Sequence, residues 1–241
     1  MQTEMNTRLD EFESVVRERR STRHFKPDPV PSDLLQRLFE VTRWAPSGYN
    51  LQPIHFTAVT SVEVRAGLFT ACMKQTQIQE APCIVVFSGD RRVVPHHLEK
   101  MIATERAADA IDDKYEKHIR WLISLSFSHG PVGLGWLWKA LLTPVIRLFT
   151  PLFGLPAVHK EVWLTRQASL SAMTFMLAAQ AAGLSTVPME GFDAGRLARI
   201  LNLPSGQLPI LVVPVGYTAT PDIRKTRLPL EDLLHRDRWH D

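Results

Sequence analysis

APSGYNLQP, residues 45–53, is dense in turn formers and side-chain amides, and its reading decides how the rest of the chain is assembled. Upstream, Leu34, Leu35, Leu38, Phe39 and Val41 recur at helical spacing and end near Trp44, with Ser32 or Asp33 placed to cap that helix. Downstream, IHFTAVT (54–60) is a β-rich run. A helix therefore runs into a polar turn, and a strand leaves it.

Further back, KPDPVPS (26–32) carries three prolines that stop any helix, and residues 8–18 place Leu9, Phe12, Val15 and Val16 on one side of an amphipathic helix. That helix leads into RRSTRHF (19–25), where Arg19, Arg20 and Arg23 surround Ser21 and Thr22. Forward of the turn, a helix is expected over much of 62–80, then a buried strand at 83–88 between Pro82 and Gly89, and a polar, helix-compatible stretch over 95–120. TRQASLSAMTFMLAAQAA (165–182) reads as a buried helix closed by Gly183 in a left-handed cap. STVPMEGF is a short strand with a turn, Asp193 caps the helix GRLARILNL, LPILVVPVGYT is another buried strand, and the polar tail holds a second basic cluster, IRKTRLP. Intermingled helices and strands without a clear linker point to one α+β or α/β domain over 1–241.

The segment 117–160 stands apart. It has no acid between Glu116 and Glu161, and it carries Trp121, Trp136 and Trp138 with several lysines and arginines. Two charges and two prolines interrupt its apolar core before a bilayer-length helix can form. It reads as an insertion: a lid, an interfacial element, or a helical excursion packed on the core.

The composition, 45% hydrophobic and 22% charged with a net charge of +3, is ordinary for a soluble globular protein, and its basic residues are too scattered for a nucleic-acid surface. Cys72 and Cys83 lack CxxC spacing, which fits a reducing cytoplasm, and the acid-containing N-terminus does not resemble a signal peptide. Glycine-rich dinucleotide and P-loop fingerprints are absent, as are HExxH and GxSxG, and the nine histidines show no ligand spacing, so no metal is expected. What remains are phosphate-suited groups at two distant points: Arg19, Arg20, Ser21 and Arg23 early, Lys225 and Arg227 late. Guanidinium forks, an ammonium and a hydroxyl can enclose a phosphate with charge-assisted bonds. Either cluster alone reads more readily as a solvated helix end than as a ligand site.

Taken in order, RRSTR, APSGYNLQP, PMEGF and KTRLP resemble the motifs of the nitroreductase family of FMN-dependent oxidoreductases. The resemblance implies an α+β fold with a mixed, mainly antiparallel central sheet flanked by helices, in an intertwined homodimer with FMN at the subunit interface. It implies Arg19, Ser21, Lys225 and Arg227 as phosphate ligands, Arg20 contributing mainly through its backbone, and Arg23 at the ribityl and N1–C2 edge of the flavin. Pro46, Ser47, Gly48, Asn50 and Gln52 would come from the partner subunit, and Pro188, Met189, Glu190 and Gly191 would lie along the ring. Where the best-known branch of the family has an Asn and a Lys before the central strand, this chain has Lys74 and Gln77, which changes the electrostatics there. NADH or NADPH would reduce FMN, and a nitroaromatic, quinone or other hydrophobic small-molecule acceptor would reoxidise it by a ping-pong cycle, with no protein nucleophile. Dehalogenation, enone or azoline chemistry, and non-catalytic FMN binding are the alternatives. The expected location is the cytoplasm, with peripheral membrane contact through 131–156 as a further reading of the Trp-rich segment.

Overall fold

The computed structural model describes residues 2–127, 137, 141, 144, 145, 148, 160–220 and 225–239. In chain order its elements are α1 (Gln2–Glu18), α2 (Ser32–Thr42), β1 (Ile54–Val59), α3 (Val62–Ala71), α4 (Thr76–Glu80), β2 (Cys83–Asp90), α5 (Val93–Ala107) and α6 (Asp113–Phe127). There follow α7 (Lys160–Ala181), β3 (Ser185–Thr186), α8 (Ala194–Ile200) and β4 (Gln207–Gly216). The strands form a four-stranded sheet in the order β1-β2-β4-β3, each neighbouring pair antiparallel. A parallel bridge from Ser21 to Thr186 adds the RRSTR segment beside β3. The architecture is α+β, as expected.

β2 is buried at every position because both faces of the sheet are covered. Its alternation divides the core. Ile84 and Val86 pack with Leu68, Ile78 and Leu197 of α3, α4 and α8, while Val85 and Phe87 pack with Leu35 and Leu38 of α2 and with Phe175 and Ala179 of α7. A third cluster joins Leu51, Ile102 of α5, Ile119 and Ile123 of α6, and Trp163 and Leu164 at the start of α7.

Several local expectations need correction. The helix foreseen over 62–80 is two helices, because Met73 and Lys74 take left-handed backbone, φ 57° and 56°, between α3 and α4. The break lets Ala71 and Ile78 both reach the core beneath Ile84 and Val86. The capping assigned to Ser32 or Asp33 does not occur. Pro31 holds the N-cap position, Ser32 is already helical, and no side-chain cap bond forms. Two other ends are as expected: Asp193 accepts from the Arg196 N–H at 2.9 Å, and Gly183 closes α7 at φ 76°.

Of the segment 117–160, residues 117–127 complete α6 and bury Ile119, Ile123 and Phe127 in the third cluster. The lid and membrane readings fall on 128–159, nearly all of which lies outside the described residues. Among the described residues, no helix is long and apolar enough to cross a membrane.

Candidate functional site

The RRSTRHF segment is extended because it is stitched to the sheet margin at both ends. The Thr22 N–H donates to the Thr186 carbonyl at 3.1 Å, and the Lys26 N–H donates to the Tyr217 carbonyl at 2.8 Å. The Ala219 N–H closes the pairing on the His24 carbonyl at 3.0 Å, and Glu80 of α4 accepts from the Phe25 N–H at 3.1 Å. Arginines 19, 20 and 23 are thereby fixed where α7 ends and β3 begins.

The late cluster returns to the same place. Lys225 Nζ lies 3.5 Å from the Arg19 carbonyl, 206 residues away in sequence, and Arg227 is close enough that its charge opposes that of Arg19. Burial first, and Arg227 second, lower the pKa of the Arg19 guanidinium. Among the described residues, its buried Nη1 has no hydrogen-bond partner and no carboxylate pairs with Arg19, Lys225 or Arg227. Among the described residues these like charges gather without an acid and leave a buried donor unmatched, an arrangement suited to an anion. A phosphomonoester fits this donor set: it supplies both the charge and the acceptors. Ser21 is exposed on the same segment, Arg20 Nη2 donates to the Thr220 carbonyl at 3.1 Å, and Arg23 is exposed.

From Thr186 the chain runs along β4 to the PMEGF turn. Met189 exchanges backbone hydrogen bonds with Val212 at 2.8 and 3.1 Å, which buries its side chain and leaves Pro188, Glu190 and Gly191 exposed. The Phe192 N–H donates to the Glu190 carbonyl at 3.1 Å, closing the turn. Gln77, buried, donates from Nε2 to Gln75 Oε1 at 2.9 Å, and Gln75 Nε2 donates to the Gly191 carbonyl at 3.0 Å. Lys74 is exposed on the left-handed bend nearby.

Gln75 was not foreseen from sequence. The only sign of its role is its place two residues before Gln77 in KQTQ. Thr186 was also missed: its buried Oγ1 and that of Thr22 lack partners among the described residues.

The 45–53 loop does not join this group. Its Pro53 carbonyl accepts from the Asp90 N–H at 2.9 Å, so it sits at the C-terminal end of β2, whereas the arginines sit beyond Cys83 and Gly216 at the opposite end. Eight residues of strand separate the two ends, about 24 Å at ~3.4 Å per residue. Tyr49, Asn50 and Gln52 all have positive φ, and the loop is held by Gln167 of α7, whose Oε1 accepts from the Gly48 N–H at 2.8 Å. A Cβ at Gly48 would meet the Trp163 indole nitrogen at 3.0 Å, so a side chain there would push the loop off α7. Ser47 Oγ accepts from the Gln52 N–H at 2.9 Å, and Asn50 donates to Glu105 at 2.8 Å. Pro46, at the start of the loop, is exposed.

The nitroreductase family pattern matches residues 16–217. The chain belongs to the nitroreductase family. It is 30% identical over 216 residues to an NADH dehydrogenase of Thermus thermophilus, covering 90% of this chain and 91% of the relative. It is 26% identical to an oxygen-insensitive NAD(P)H nitroreductase of Salmonella typhimurium, covering 92% and 97%. The solved structure of an Exiguobacterium sibiricum protein named as a nitroreductase, in complex with FMN, superposes with a TM-score of 0.70 at 19% identity, covering 94% of this chain and 97% of that one. This nitroreductase-family chain is accordingly an oxidoreductase by family.

Proposed function

We propose that this chain is an FMN-dependent oxidoreductase that takes reducing equivalents from NADH or NADPH and passes them to a nitroaromatic, quinone or other hydrophobic acceptor, the two substrates using the site in turn. The observation that carries the reading is the Arg19–Lys225–Arg227 cluster, whose unmatched buried donor calls for a phosphate-like anion. FMN, when bound, supplies the two-electron chemistry at its N5, so no nucleophile is asked of the protein. Arg19, Ser21, Lys225 and Arg227 bind the phosphate, and Arg20 is held by the Thr220 carbonyl so that its backbone passes the ring. Arg23, an exposed guanidinium on the same segment, neutralises charge at the N1–C2 edge. The turn at Pro188, Met189, Glu190 and Gly191 offers flat backbone to the ring, and the Gln77–Gln75–Gly191 chain of hydrogen bonds fixes its position. Lys74 and Gln77 stand toward the pyrimidine edge.

The working unit in this reading is a homodimer. A chain whose phosphate cradle and 45–53 loop lie at opposite sheet ends can serve two sites, giving its cradle to one and Pro46, Ser47, Gly48, Asn50 and Gln52 to the other. Exposed apolar side chains on α1 (Leu9, Phe12, Val16), on α7 (Leu170, Met173) and in the tail (Leu230) provide surface for such an interface. Residues 1–241 form one domain, with the Trp-rich part of 117–160 as its insertion.

The test is a visible absorption spectrum of the purified chain, alone and with added FMN, followed by anaerobic NADH or NADPH. Flavin bands that either nucleotide bleaches are expected. A colourless protein that takes up no FMN would overturn the reading, and bands that neither nucleotide bleaches would reduce it to a flavin-binding module.

A further inference from the structure

His55 on β1, Asp90 at the end of β2 and His97 on α5 are far apart in sequence, yet one ligating atom from each lies within 4.8 Å of the other two. The sheet brings them together. Asp90 follows Gly89, which pairs with Ile54, and α5 doubles back so that the His97 and His55 rings meet edge to face at 5.3 Å between centroids. Asp90 is almost fully buried, at 2% exposure, and its oxygens have distinct duties. Oδ1 accepts from the Arg92 N–H at 2.7 Å, and Oδ2 lies 2.5 Å from His96 Nδ1.

We propose that His55, Asp90 and His97 form a site for a divalent transition ion of the zinc class, with His96 holding the carboxylate from behind. His97 Nε2 stands 3.7 Å from Asp90 Oδ2, too far for a hydrogen bond. It is near the ~3.4 Å edge of a tetrahedron built on ~2.1 Å bonds, so small side-chain rotations suffice to close both groups on one ion. Two imidazoles and a carboxylate make a borderline ligand set, which favours zinc, cobalt or nickel over magnesium or calcium. The hydrogen bond from His96 supplies the outer partner that ligating carboxylates ordinarily have.

Three protein ligands leave one position open. Of the three, His97 also lines a cavity of about 270 Å³, together with Lys100, Thr42, Ser47 and Gln52. Lys100, exposed on α5 one turn past His97, works against a bare cation and favours an anionic fourth ligand such as hydroxide. An ion here would tie β1, β2 and α5 together at the root of the 45–53 loop, whose Pro53 carbonyl is bonded to the Asp90 N–H. The site therefore acts by holding that loop. None of its three ligands is among the residues assigned to the flavin, although the site adjoins Ser47 and Gln52 of the loop that is, so ion binding is read separately from FMN binding.

The full chain, treated with a chelator and dialysed, is titrated with Zn²⁺ by calorimetry and with Co²⁺ by visible absorption. One ion per chain is expected, with d–d bands of a four-coordinate cobalt centre and a rise in the thermal midpoint on adding zinc. His55→Gln and His97→Gln should each weaken zinc by about tenfold or more. The metal-free melting temperature of each variant verifies that it folds, and His55, exposed, is the safer of the two. No binding by the unsubstituted chain, or the same affinity in a folded His55→Gln/His97→Gln double variant, would overturn the proposal.

Discussion

Single side chains divide into those whose roles follow from residue type and those whose roles need the fold. Arg19 and Arg227 are the clearest of the first kind once they are seen together: neither has an acid partner among the described residues, and burial of Arg19 leaves Nη1 unmatched. If the pair holds the phosphate as proposed, replacing both with alanine should weaken FMN by about 3 kcal/mol, more than a hundredfold, because charge-assisted bonds carry about 1.5 kcal/mol each. A fluorescence titration of the apoprotein checks this. If Arg23, which is exposed, serves the electron-rich edge as proposed, Arg23→Ala should move the flavin reduction potential more than the affinity, because a cation there acts on the reduced form, and an anaerobic redox titration reads the difference. Cys72 and Cys83 show the opposite character. Burial pushes both thiols up to about 11, so they stay protonated and shielded. Neither should react with a disulfide reagent at about pH 8 until the chain is unfolded. Gln75 and the His55–Asp90–His97 cluster are of the second kind, because their significance lies in partners that sequence spacing does not reveal.

At the scale of elements, what was legible followed the strength of the local pattern. The apolar run at 83–88 had to be a buried strand, Gly183 had to end the small-residue helix, and Asp193 had to open the next one, because each depends on chemistry within a few residues. The Asp193 cap and the Gly183 turn invite direct measurement. Asp193→Ala should cost about 1 kcal/mol by loss of the N-cap bond. Gly183→Ala should cost about 1–2 kcal/mol through its left-handed backbone alone, since no atom lies within 4 Å of the added methyl. Chemical denaturation of the two variants would separate these values from any effect on the core. The bend at Met73 and Lys74 was not legible, because no glycine or proline marks it and tertiary packing of Ala71 and Ile78 imposes it. Pro31 at the N-cap of α2 was missed for a related reason. Its fixed φ, −55°, starts the helix without the side-chain bond that Ser32 or Asp33 was expected to give.

At the scale of the whole molecule, the proposed function requires motifs at opposite ends of one sheet to serve one cofactor. In sequence, RRSTR and APSGYNLQP are near neighbours, and their reading as one site came from resemblance rather than from any pattern in the residues between them. In space β2 separates them, with Cys83 toward the arginines and Asp90 toward the loop. If two chains share each site, damage to the cradle and damage to the loop fall on different sites when the lesions sit in different chains. Consider a heterodimer of an Arg19→Ala/Arg227→Ala chain with a Ser47→Ala/Gln52→Ala chain, co-expressed with two affinity tags and purified through both. One of its sites receives an intact cradle from the second chain and an intact loop from the first; the other receives both damaged parts. The doubly tagged species should therefore bind close to one FMN per dimer and regain about half of the unsubstituted NAD(P)H oxidation rate, while each variant homodimer has only weakened sites. Counting flavin by absorbance against protein concentration gives the stoichiometry. Two equally weak sites in the heterodimer would mean that cradle and loop of the same chain act together. A monomer in sedimentation would remove the shared site altogether, leaving the exposed faces of α1 and α7 to be accounted for in another way.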